Sequence, residues 1–80
     1  MEADFNLYKH ILGVVDKQIE ESDPPKAREV YEKLINSGDD ENTAKEKIAS
    51  IIAEEMYYLL LDENKSFNQD RYIEKLDHLV

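Results

Sequence analysis

Eighty residues make about one small domain, which buries only roughly 60–65% of the surface its unfolded chain exposes. Nineteen acidic against ten basic side chains give a formal net charge of −9, which repels a phosphate backbone and excludes nucleic acid as the expected partner. The chain has no cysteine, so disulfides and thiolate metal or redox chemistry are excluded, and a cytoplasmic setting is expected.

The first ten residues, "MEADFNLYKH", carry two acids and no apolar run of signal-peptide length, and no segment approaches the ~20 apolar residues of a membrane span. Neither secretion by such a leader nor membrane insertion is expected. Two glycines and two prolines are sparse punctuation, and apolar residues recur at three and four, which predicts an all-α chain. The first helix is expected over about 4–21, with Asp4 as N-cap. Phe5, Tyr8, Leu12, Val15 and Ile19 form its stripe, widened by Leu7, Ile11 and Val14, and so broad an arc predicts the most buried helix.

The second helix is expected over 24–37, with Asp23 as cap and Pro24 at the first helical position, where a missing amide proton costs nothing. Ala27, Val30, Tyr31, Leu34 and Ile35 form its inner stripe, and Gly38 supplies a left-handed stop. The third helix is expected over 41–62, capped by Asp40, or by Thr43 in a box with Glu46. The fourth is expected over 68–79: Asn68 caps, Asp70 favours the positive end of the helix dipole, and Phe67 staples onto Tyr72. Tyr72, Ile73, Leu76, Leu79 and Val80 are expected to face inward. Short connections then predict a single domain over 1–80, a compact four-helix array of antiparallel neighbours.

Two polar residues stand on apolar faces. Gln18 falls inside the arc of the first helix, and Glu55 interrupts the stripe of Ala44, Ile48, Ile51, Ile52 and Leu59 in the third, with Glu54 to one side. A buried carboxylate must be paired or protonated, because leaving it alone costs several kcal/mol. One reading gathers His10, Gln18, Glu54 and Glu55 into a small-ligand or metal site, conceivably catalytic, between the first and third helices. The competing reading makes Gln18 and Glu55 structural, with Gln18 capping a neighbouring helix's carbonyl and Glu55 reaching water from a thin core.

Metal signatures give the site reading little support. Neither histidine follows a glutamate by three residues, as di-iron bundles require, and His10 and His78 are not paired at the spacing of zinc hydrolases. "DENKSFNQDRYI" alternates Asp62, Asn64, Ser66, Asn68 and Asp70 like a calcium loop, but has Phe67 where the loop needs glycine and Ile73 where it needs glutamate. No cofactor is expected. No phosphate-cradling loop or nucleophile elbow is present, so the pattern points to an interaction protein rather than an enzyme.

"EEMYYLLLD", Glu54 to Asp62, spreads apolar residues around the whole third helix. One face meets the core; the other, marked by Met56, Tyr57 and Leu60, is expected to meet another helix of the chain or a protein partner, including a second copy in a homodimer.

His10 with Gln18, Asp23-Pro24-Pro25, Lys33-Leu34, Gly38, Ala44, Ile48, Glu54, Phe67-Asn68 and Arg71-Tyr72 occur in an order that resembles a bacterial family, domain of unknown function 1841. The resemblance covers nearly the whole chain and draws attention to His10, Gln18, Asp23, Pro24 and Glu54. It departs from the family pattern at Glu46, within "AKEKI", where the family has a histidine. The family has no established activity, so the resemblance implies a helical fold rather than a reaction.

Overall fold

The computed structural model describes residues 2–61 and 66–80, with residues 2–6 described by their backbone alone. Four helices follow in order: α1 (Glu2–Glu21), α2 (Pro25–Asn36), α3 (Glu41–Leu61) and α4 (Gln69–Asp77), with no strand among the described residues. The expected all-α array is therefore the fold. The start of the alternating calcium-loop pattern, Asp62 and Asn64, lies outside the described residues, as do the Phe5 side chain and the expected end of the third helix at residue 62.

Local signals account for most helix ends. The Asp40 carboxylate accepts from the Thr43 amide at 2.7 Å, which makes Asp40 rather than Thr43 the cap of α3, and Asn68 accepts from the Arg71 amide at 2.9 Å. The Phe67 ring meets Tyr72 edge-on at 5.5 Å, completing the staple at the start of α4. Gly38, at φ 110°, ends α2 in a Schellman motif: its amide donates to the Ile35 carbonyl and that of Asp39 to Leu34, each at 3.1 Å.

Two starts differ from expectation. Asp4 lies inside α1, which begins at Glu2, so it caps nothing. Pro24 is the N-cap of α2, extended at φ −75° and ψ 151°, with Pro25 behind it at the first helical position and no side-chain cap from Asp23. The physical reason is the proline pair itself: a residue before proline is pushed out of the helical region by the following ring, so Pro24 cannot be the first helical residue. The Asp23–Pro24 peptide is cis.

The turn between α1 and α2 also has a left-handed residue, and it is not glycine. Ser22 sits at φ 54°, where its amide donates to Ile19 and the Asp23 amide to Gln18, a Schellman closure like that at Gly38. A side chain there costs roughly 1 kcal/mol, because Cβ crowds the following carbonyl. The Ser22 hydroxyl accepts an exposed 3.3 Å hydrogen bond from Arg28 that returns only part of this. Ser22→Gly is expected to raise stability by about 0.5–1 kcal/mol, read as a higher urea midpoint at unchanged slope.

The core gathers Ile11 and Val15 of α1, Ala27, Val30 and Leu34 of α2, Ala44, Ile48, Ala49, Ile51 and Ile52 of α3, and Tyr72 and Leu76 of α4. The inner stripes expected for α2 and α3 are buried except at Tyr31, Ile35 and Leu59, which are half-buried. In α1 the expectation fails: Leu7, Tyr8 and Val14 are exposed, and α3, not α1, is the most buried helix. Val80 is exposed as well.

Helix length explains the misplacement on α1. At 1.5 Å per residue α1 spans about 30 Å and α2 only about 18 Å, so α2 is too short to cover the whole of α1. α3 meets α1 where Asp16 and Lys45 pair at 2.8 Å. Leu7 and Tyr8 of α1 and Tyr57, Leu60 and Leu61 in the last turns of α3 are left exposed.

Candidate functional site

Glu55 holds the center of the most polar contact inside the fold. Its side chain is 1% exposed, yet it stands on the buried stripe of α3, one turn past Ile51 and Ile52. The charge is met from α4. Arg71 donates from Nε to both carboxylate oxygens, at 3.0 and 3.1 Å, and from Nη2 to Oε1 at 2.7 Å, a forked geometry that suits a carboxylate. One turn on, Lys75 donates to Oε2 at 3.1 Å and also to Glu54. The Tyr58 ring lies 5.2 Å from both cations and closes one side of the cluster.

These contacts set the protonation states. Hydrogen bonds from Arg71 hold the Glu55 carboxyl below the ordinary glutamate range; burial opposes this, and Lys75 adds to it. Lys75 is held above the ordinary lysine value first by its hydrogen bond to Glu54. Glu55 is thus an ionised, fully partnered carboxylate. A general acid or base needs a proton within reach of the working pH, and this environment moves Glu55 away from that range.

Gln18 has a separate partner. The Tyr72 hydroxyl donates to its Oε1 at 2.6 Å, and burial pushes the phenol well above its ordinary value. An apolar residue at position 18 would leave that hydroxyl unpaired in a dry site, so the glutamine on the apolar arc of α1 is explained by a tyrosine 54 positions away. Among the described residues, every fully buried side-chain nitrogen or oxygen has a hydrogen-bond partner.

The four residues of the expected ligand site therefore do not assemble. Glu54 and Glu55 turn toward α4, Gln18 serves Tyr72, and His10 is exposed on α1. No group of three or more histidine, aspartate or glutamate side chains able to hold a metal occurs among the described residues. The physical reason is that cations on α4, invisible to a reading of α1 and α3 alone, already occupy the carboxylates. Arg71 and Lys75 carried one usable signal: cations one turn apart, flanking the apolar Tyr72 and Leu76.

Three residues near the end of α3 were expected to meet another helix of the chain or a protein partner. Tyr57 is 58% and Leu60 80% exposed, and Leu61 joins them at 65%. Met56 differs: it is half-buried and packs against the core, because its side of the helix faces the bundle. An open depression of about 270 Å³ between α2 and the start of α3, lined by Tyr31, Glu32, Ile35, Asn36 and Glu41, had no sequence signal. Burial and the nearby Glu41 carboxylate raise the Tyr31 phenol there.

No helix among the described residues is long and apolar enough to cross a membrane. Compared with known proteins, the chain matches no family model, no curated protein and no solved structure.

Proposed function

We propose that this chain is a small helical-bundle interaction module that works through protein contacts, pairing with a second copy through the last turns of α3. The observation that carries the reading is the exposure of Tyr57, Leu60 and Leu61 together on consecutive turns of one helix. Leucine side chains left in water forgo about 25 cal/mol for each Å² of apolar surface, and such patches commonly mark contact sites. The side chains of Tyr57 and Leu60 suit this use, with a polar tip on an apolar ring and an aliphatic group for a partner helix to cover.

The net charge of −9 shapes the expected behavior. Two like-charged copies repel over about 8–10 Å at physiological ionic strength, so association of copies should tighten as salt rises. A nucleic-acid partner would show the opposite dependence. The reading places the protein in the cytoplasm, and the resemblance to the bacterial family rests on the residues quoted for it.

A variant separates contact from folding. Leu60→Glu removes apolar surface and adds a charge at a site that touches little of the core, so its urea midpoint is expected to match the parent within about 0.5 kcal/mol. Concentration-dependent amide shifts at Tyr57, Leu60 and Leu61 should appear in the parent and vanish in the variant. Shifts that persist unchanged in Leu60→Glu would sink the assignment of this surface.

A further inference from the structure

α4 is held differently from the other three helices. It has nine residues, below the roughly 12–15 at which isolated helices become even marginal in water, so it forms by docking. It buries two side chains, Tyr72 and Leu76, as many as the described part of the far longer α1, where α3 buries six and α2 three. It packs on α2 and α3 and reaches α1 through the Tyr72–Gln18 hydrogen bond.

The rest of its seam is polar. Arg71 and Lys75 engage Glu54 and Glu55, and Asp77 pairs with Lys26 at 2.8 Å. Each of these groups regains water when α4 lifts, Glu55 included, since the cations above it belong to α4. Desolvated ion pairs contribute little net stability against the solvated state, so the seam opens without leaving a stranded charge. Meanwhile α1, α2 and α3 pack pairwise on one another and keep Ile11, Val15, Ala27, Val30, Leu34, Ala44 and Ile48 as a core of their own.

We propose that α4 is a releasable strap: it undocks and unfolds as one unit while α1–α3 remain folded, uncovering the faces of α2 and α3 on which Tyr72 and Leu76 rest. The inference does not depend on pairing between copies. Opening of this kind is a sub-global event, with its own free energy below that of global unfolding.

Amide hydrogen exchange on the full chain in low urea tests it. Amides of residues 72–76 are expected to exchange through one shared opening, about ten-fold or more faster than those of Val30 and Ile48, and with a smaller urea dependence. Glu55→Gln, whose contacts are lost in both openings, is expected to accelerate residues 72–76 and the core amides Val30 and Ile48 alike, by about ten-fold. Ile11→Val alters a contact that survives undocking, so it is expected to accelerate Val30 and Ile48 by about five-fold and to leave residues 72–76 unchanged. Exchange of 72–76 at the rate of Val30 and Ile48 would overturn the proposal, since α4 would then unfold only with the whole chain. A graded rise in rate from Leu76 to Val80 with residue 72 as slow as the core would overturn it as well, as ordinary fraying. So would equal acceleration of both sets by Ile11→Val, or loss of the whole fold in Glu55→Gln.

Discussion

Tyr72→Ala is expected to cost about 3–5 kcal/mol, the largest loss from any single substitution in α4. Tyr72 is fully buried, meets the Phe67 ring edge-on at 5.5 Å, and spends its hydroxyl on Gln18 at 2.6 Å. Removing the ring leaves a cavity between helices that cannot close without shifting the backbone. A chain of 80 residues has a total stability of roughly 4–12 kcal/mol, so the loss is a large share of it. Tyr72→Phe separates the two contributions. It keeps the ring and removes one hydrogen bond, and because Gln18 is only half-buried its amide can turn to water, so about 1 kcal/mol is expected. Urea unfolding of both variants checks the order. Equal losses for Ala and Phe would show that the hydroxyl, not the packing, holds α4 in place.

Glu55→Ala is expected to cost about 2–3 kcal/mol, from charge-assisted hydrogen bonds and buried methylenes lost together. The partner residue gives a sharper result. Arg71→Met leaves a carboxylate that is 1% exposed with Lys75 alone to meet it, so the single variant should have a lower urea midpoint than the double variant Glu55→Met/Arg71→Met. Replacing both members of a buried pair by apolar side chains is often near neutral, whereas breaking the pair is not. A double variant less stable than Arg71→Met would contradict this account of the seam.

The same pair gives a pH dependence. The Glu55 carboxyl titrates lower in the folded chain than its unfolded value of about 4.3, chiefly because Arg71 donates to it. A carboxylate of this kind contributes stability that is fully present above the unfolded value and is lost as pH falls through the folded one. Asp40, held low by the Thr43 amide, and Asp77, held low by Lys26, act in the same direction. Stability should therefore fall on acidification below about pH 4.3, and Arg71→Met should flatten that fall by removing the main cause of the Glu55 shift.

Features set by a few neighboring residues were legible in the sequence. Asp40, Asn68, Gly38 and the Phe67–Tyr72 staple all act within one turn of a helix end, and all stand where their chemistry places them. The start of α2 was misplaced by one residue, although the rule that bars a residue before proline from the helix applies to Pro24 directly. What the sequence hid depends on distance along the chain. Gln18 and Glu55 announced themselves as polar residues on apolar faces, but their partners Tyr72 and Arg71 lie 54 and 16 positions away and could not be matched from periodicity.

The arc of α1 was misjudged for a related reason. Periodicity reports which residues share a face, whereas burial depends on whether another helix is long enough to cover it. Leu7, Tyr8 and Val14 lie on or beside the stripe of Ile11 and Val15 and are nonetheless exposed. The last turns of α3 expose Tyr57 and Leu60, for which another helix of the chain or a protein partner was expected, and that exposure is the basis of the proposed contact surface.

Sedimentation velocity from micromolar to millimolar protein, at low and high salt, tests that surface most directly. The account predicts a shift from monomer toward dimer with concentration, stronger at high salt and absent in Leu60→Glu. A single species of monomer mass at every concentration and salt would contradict it.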